Sequence, residues 1–122
     1  MKAILSIKPQ FVEEIVAGRK KFEYRKSVFK QPVEKVYIYS SAPVSKVVGE
    51  FQPVAVLSGT PAEVWTQTKQ YAGVKKGFYD EYFRGKTTAY AIVIQNLVMY
   101  EEALPLPKGV KAPQSYLYID NI

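Results

Sequence analysis

No cysteine and no histidine occurs in the 122 residues. Disulfides are thereby excluded, along with zinc centres built on thiolate or imidazole, cysteine or histidine nucleophiles, and histidine general bases. Carboxylate-only sites for magnesium or calcium survive that cut, yet no DxDxDG-type loop occurs. No apolar run approaches the ~18 residues of a membrane span, and the opening MKAILSIKPQ lacks the apolar stretch of a secretory signal. Absence of cysteine fits a reducing compartment. The expectation is a cytoplasmic protein with no membrane association and no cofactor. A chain of this length forms one domain, taken as 1–122, and buries a core without staples. Repeats, linkers and low-complexity segments are absent, and nothing in the sequence signals an oligomeric state.

What the chain does have is aromatic side chains and a local excess of positive charge. Ten tyrosines and six phenylalanines accompany a single tryptophan. The formal charge is +6, and it is uneven: residues 1–50 hold ten Lys or Arg against five Glu, residues 51–122 seven against six acids. Six of the bases fall within residues 18–30, where Glu23 is the one acid. A basic patch of that kind suits phosphate, nucleic acid or another anion, or else is a solvated face.

Hydrophobic periodicity supplies the elements. KAILSI (2–7) reads as a buried strand closed by Lys8-Pro9. PQFVEEIVAG (9–18) has proline at its first turn, Phe11, Val12, Ile15 and Val16 at helical spacing, and a terminal glycine. From Lys21 to Lys26 the pattern alternates, setting Phe22 and Tyr24 on one side and Lys21, Glu23 and Arg25 on the other. VEKVYIYSSA (33–42) reads as a central strand, and 46–59 as a long strand bent near Gly49 or Pro53. Thr60-Pro61-Ala62-Glu63 is a capping box opening a helix to about residue 71. A helix over 75–84 carries Phe78, Tyr79, Tyr82 and Phe83, which read as core; strands follow over 87–97 and 115–119. The order β-α-β-β-β-α-α-β-β leaves no room for crossover helices between the central strands. It predicts an α+β fold, a small mixed β-barrel flanked by about three short helices.

The stretch GRKKFEYRK (18–26) holds the candidate chemistry. Lys20 falls in the turn between helix and strand, and Glu23 and Arg25 fall in the strand. Glu23 could accept an N–H of a base while Lys20, Lys21 and Arg25 contact carbonyl or phosphate oxygens. The same residues could equally form an ion-pair network with no ligand. Tyr37, Tyr39, Phe51 and Trp65 are the candidate stacking surfaces for a base. Ser40 and Ser41, at a strand end beside Pro43, are candidate phosphate donors or ordinary turn residues, and Gln114 and Ser115 are weaker candidates.

ILSIKPQFVEEIVAGRKKFEYRK (4–26) resembles the N-terminal signature of ASCH domains, a branch of the PUA-like β-barrels marked by a G-x-K-x-x-E-x-R motif. Gly18, Lys20, Glu23 and Arg25 stand at that spacing. The likeness continues through VYIYSSAP, VVGEF, GVKKGFYDEYFRGKTTAYAI and APQSYLYI, so it covers nearly the whole chain in order. The resemblance implies a PUA-like barrel whose motif lines a cleft, with RNA or a modified nucleotide as the partner. It implies an RNA-binding module, with a regulatory role in transcription or translation attached. The alternative it implies is an enzyme acting on RNA or a modified nucleoside, with Lys20 and Glu23 as catalytic candidates. Some members resemble an acetylcytidine amidohydrolase that uses a lysine, a threonine and a glutamate. Lys20 matches the first, Glu23 stands in place of the second, and no carboxylate stands near Tyr71–Gly73. Ribonuclease activity, also linked to the family, needs neither cysteine nor histidine.

Overall fold

A computed structural model describes residues 1–122. The elements are β1 (Lys2–Ile7), α1 (Pro9–Val16), β2 (Phe22–Arg25), β3 (Lys35–Ser40), β4 (Lys46–Gly59), α2 (Pro61–Thr68), a 3₁₀ turn (Lys69–Tyr71), α3 (Lys76–Tyr82), β5 (Ala89–Leu104) and β6 (Tyr116–Ile119). Their order is the one the periodicity predicts. The strands form one mixed sheet in the order β2-β5-β4-β3-β1-β6, curled into a half-barrel with three helices. Only β1 and β3 run parallel, and α1 with β2 supplies the connection between them.

Curvature comes from irregular pairing along the two longest strands. The β4–β5 ladder shifts register between Val47 and Gly49, Glu50 and Gln52, and Pro53 and Val56, and extra residues at such shifts bend a strand. Gly49 is fixed by packing: a Cβ there would lie 2.6 Å from the Val98 carbonyl oxygen and 2.8 Å from the Met99 sulfur. β5 runs seven residues beyond the expected end at 97. Its second half pairs with the start of β4, Gly49 with Met99 and Val47 with Leu104, so backbone ladder bonds carry a segment whose Glu101 and Glu102 give no strand signal.

Local signals account for the helix ends. Pro9 opens α1, and Gly18 at φ +79° ends it. Thr60 and Glu63 form the reciprocal capping box at α2. Val12 and Ile15 of α1 pack with Leu5, Ile7, Val36, Ile38, Phe51 and Ile92 in the main core. A second cluster joins α2 and α3 to β2 and β5 through Tyr24, Val64, Tyr79, Phe83 and Ala91. β1 and β3 are covered on both faces: Ile4, Tyr37, Tyr39 and Val47 form a third cluster opposite the first. On that face Ser6 and Tyr39 follow Ile4 and Tyr37 by one pleat, and both reach a cleft between the sheet and α3.

No helix is long and apolar enough to cross a membrane.

Candidate ligand cleft

A cleft of about 650 Å³ opens between the strand ends, α1, α3 and the 112–115 segment. Lys20, Glu23 and Arg25 lie along its floor, and their exposures are only 2%, 5% and 8%. Such groups are almost never buried unless paired. Glu23 supplies the pairing: one carboxylate oxygen lies 3.4 Å from Lys20 Nζ, the other 2.7 Å from Arg25 Nη2. Two cations thus share one carboxylate, and the floor keeps a positive excess.

Each member is held by a different part of the fold. Lys20 sits before β2, its backbone bridged to Ala72 and its Nζ donating to the Ala72 carbonyl at 3.3 Å. The ammonium lies 4.8 Å from the centre of the Tyr24 ring and 5.6 Å from that of Phe11. Tyr24 is fixed in turn by its hydroxyl, 2.7 Å from Thr68 Oγ1; because Thr68 donates to the Val64 carbonyl, the tyrosine is the donor. Gly73, at φ +65°, closes over the lysine stem, and a Cβ there would lie 2.2 Å from Lys20 Cβ. Burial lowers the Lys20 ammonium below its ordinary 10.5, with Glu23 opposing that shift and Arg25 adding to it.

Arg25 closes a seam. Its Nη2 donates to the Ser6 carbonyl at 2.7 Å as well as to Glu23, and its Nη1 lies 3.4 Å from the Ser115 carbonyl and 3.3 Å from Ser115 Oγ. The guanidinium therefore ties edge strand β2 to β1 and to the entry of β6, across the open side of the half-barrel. Four of its five N–H groups have protein acceptors. Lys20, with three donors, has spent two on oxygen, and Glu23, with about four lone-pair sites, has spent two. The capacity to bind an incoming ligand thus rests mainly on Lys20 and Glu23.

The other candidate residues divide. Ser41, Gln114, Ser115 and Tyr39 line the cleft. Lys21 does not: its carbonyl still accepts from the Ile94 N–H of β5, but its own N–H donates to the Tyr71 carbonyl and its ammonium sits 4.2 Å from the centre of the Tyr71 ring outside. Tyr37 packs in the third core cluster, Phe51 in the first, and Ser40 is buried off the cleft, on the face opposite Tyr39. Trp65 packs against Tyr79 at 4.7 Å between ring centres, leaving Tyr79 between it and the cleft. Residues the sequence reading passed over take their place: Phe11 and Ser6 line the cleft, as do Phe78 and Tyr82. Phe78, Tyr79 and Tyr82 of α3 and Phe83 just after it form two rows at i,i+4 spacing. Tyr79 and Phe83 enter the core, whereas Phe78 and Tyr82 turn toward the cleft.

The ASCH domain family model matches residues 5–98, and the chain belongs to that family. An ASCH domain-containing ribonuclease of Zymomonas mobilis is 27% identical over 96 residues, 78% of this chain and 65% of that protein. Large ribosomal subunit protein uL22 of Ureaplasma parvum is 30% identical over 89 residues, covering 71% of this chain and 29% of that one. The chain therefore spans less than two thirds of the length of these relatives. The crystal structure of ASCH from Zymomonas mobilis superposes with a TM-score of 0.89 at 24% identity, covering 98% of this chain and 87% of that one, a likeness of fold.

Proposed function

We propose that residues 1–122 act as one ASCH domain that binds single-stranded RNA, receiving one unstacked nucleotide in the cleft. The observation that supports this most is the charge of the cleft wall: Lys8, Lys20, Arg25 and Lys26 face a single carboxylate, Glu23. A buried cationic excess with unspent hydrogen-bonding capacity is complemented by a group that brings negative or carbonyl oxygen together with an N–H. A nucleotide has all of these. Lys20 would take a base carbonyl or phosphate oxygen and Glu23 a base N–H, with Ser41 and Gln114 as polar neighbours and Tyr39 or Phe11 against the base. Arg25 would hold Glu23 in place rather than touch the ligand. Such a domain would work in the cytoplasm, where regulation of transcripts or of translation is the biological setting this binding suits.

Turnover is the second reading, favoured by the relative named a ribonuclease and by the buried lysine beside a carboxylate. Glu23 would take the proton of a ribose 2′-hydroxyl as its oxygen bonds to the adjacent phosphorus. Lys20 would protonate the departing 5′-oxygen, leaving a cyclic phosphate and a free hydroxyl.

Fluorescence anisotropy with labelled single-stranded RNA, matched DNA and a nucleoside panel, at low and high salt, tests the binding. Saturable RNA binding that weakens as salt rises and disappears in Lys20→Met is expected. Indifference of RNA binding to Lys20→Met would reject the cleft as the site. Cleavage of unlabelled RNA to cyclic-phosphate ends, absent when the 2′-hydroxyl is removed, would add turnover.

A further inference from the structure

The wall of the cleft opposite the sheet does more than pack: Phe78 meets Phe11 edge to face and Tyr82 lies against Phe83, yet both rings also border the cleft. Phe78 is 41% exposed, a large apolar ring left at the surface of α3. Tyr82, one helical turn on, lies nearly parallel to it, with ring centres 6.4 Å apart and planes 8° from coplanar in orientation. Lysines sit against both: Lys8 Nζ lies 5.7 Å from the centre of the Phe78 ring, and Lys26 Nζ 4.6 Å from that of Tyr82. Both lysines are exposed, and neither makes a salt bridge. These exposed ammonium groups can leave the rings for a phosphate, which frees the ring faces for another flat group.

We propose that this wall is a second nucleotide subsite. It takes the base next to the one on the cleft floor, stacked on Phe78 and Tyr82, with Lys8 and Lys26 on the phosphates either side. The proposal rests on the RNA reading of the cleft and extends it from one nucleotide to two. Charge sets the path of the strand. The hollow beyond Phe78 is bordered by Glu13 and Glu14 as well as Arg19 and Lys75, and Arg19 is already bound to Glu14. That hollow has no cationic excess to attract a phosphate. The α3 wall has two free cations and no acid of its own among the cleft residues. A strand leaving the floor is therefore drawn along Phe78 and Tyr82. The requirement is for a run of adjacent nucleotides with little base preference, because stacking accepts any base.

The experiment compares short single-stranded RNA oligomers with nucleoside 5′-monophosphates, the latter by competition, on wild type, Phe78→Leu, Phe78→Ala and Lys8→Ala/Lys26→Ala. Phe78→Leu keeps an apolar neighbour for Phe11, and thermal denaturation identifies any variant that has lost its fold. Oligomer affinity is expected to fall about tenfold in Phe78→Leu, as for one lost base–aromatic stack. Monophosphate affinity stays within about twofold, a floor interaction that stacking on α3 does not touch. The double lysine variant should flatten the slope of log affinity against log salt by about 1.4, the value for two phosphates on a single strand. Unchanged oligomer binding in folded Phe78→Leu, or equal losses for oligomer and monophosphate, overturns the second subsite while leaving the cleft reading in place. An unchanged salt slope overturns the assignment of the lysines. Absence of saturable binding of any RNA to wild type overturns the cleft reading, and the subsite with it. The oligomer loss and the salt slope decide the matter even where monophosphate binding is too weak to measure.

Discussion

Two strand carboxylates in this molecule look alike in sequence and differ in what surrounds them. Glu23 on β2 is bound by Lys20 and Arg25; Glu50 on β4 is bound by Lys35 at 2.9 Å and by the Tyr100 hydroxyl at 2.7 Å. Around Glu50 one cation meets one anion, a neutral hydroxyl completes the set, and none of the three borders the cleft. Around Glu23 two cations meet one anion, all are nearly inaccessible, and a cleft stands in front of them. Balance beside packed side chains is what a structural ion pair needs. Excess charge beside a void is an unfinished arrangement, and a ligand of opposite charge finishes it. The difference lies in stoichiometry and empty space rather than in the residue types.

The comparison can be broken most forcefully at Glu23. Glu23→Gln leaves Lys20 and Arg25 buried without their shared anion, and loss of one partner from such a site costs ~3–5 kcal/mol. Denaturant unfolding should show a loss of that order together with loss of RNA binding. A loss below 1 kcal/mol would mean the two cations already reach water.

Gly73→Ala sharpens the view of Lys20. The added methyl meets the lysine stem, and the positive φ disfavours any side chain, so a cost of ~1–3 kcal/mol is expected. RNA affinity should fall with it as the ammonium shifts from Glu23. The matching change at Gly85, also at positive φ but with nothing within 4 Å of a new Cβ, should cost less and leave binding alone.

Glu50→Gln should cost at most about 1 kcal/mol, since its pair with Lys35 is partly exposed. RNA binding should be unchanged. Burial tends to raise the Glu50 carboxyl, but hydrogen bonds from Tyr100 and Lys35 outweigh it and hold the group below its ordinary 4.5. The folded protein therefore resists protonation there, and this small contribution is present above pH 4.5 and is lost as pH falls through the folded-state value. A denaturation series in acid should lose that slope in Glu50→Gln.

Alkaline pH separates the two regions by sign. Burial lowers the Lys20 ammonium below 10.5, so in the window under that value the folded state has given up a proton that the unfolded chain keeps. Stability at this site accordingly rises with pH across the window. RNA affinity, which needs the cation, falls across it. Affinity that is flat until pH 10.5 would show Lys20 to be solvated like any surface lysine.

Much of this was legible in the chain. The helix boundaries at Pro9, Gly18 and Thr60 follow from local signals, and the strand over 46–59 has the extent its pattern predicts, including irregular pairing near Gly49 and Pro53. Alternation in β2 sends Tyr24 into the second core cluster, apart from Glu23 and Arg25, although Tyr24 also borders the cleft they line. At Lys21 it does not hold: the backbone N–H there donates to the Tyr71 carbonyl and the ammonium lies over the Tyr71 ring, outside the cleft. The depth of Lys20 was hidden, since a residue in a turn reads as exposed, and its burial depends on Ala72 and Gly73, far along the chain. The seam made by Arg25 with Ser6 and Ser115 was invisible for the same reason. So was the cleft wall: Phe11 and Phe78 meet edge to face at 5.1 Å only because the fold brings one side chain of α1 against one of α3. A helical wheel shows that Phe78 and Tyr82 share a face, but not which void that face borders.

The measurement that bears most directly on the central claim pairs stability with RNA binding in the double variant Lys20→Met/Glu23→Gln. Removing one cation and one anion together leaves the floor's net charge as it was and fills the same space, so that of the two cations Glu23 served only Arg25 loses its anion. The account predicts a folded protein that is destabilised less than Glu23→Gln alone, since one buried cation rather than two is left unpaired, and that no longer binds RNA. Retained RNA binding, or a collapse of stability without regard to ligand, would show that the cluster exists to hold the fold and that the ligand site lies elsewhere.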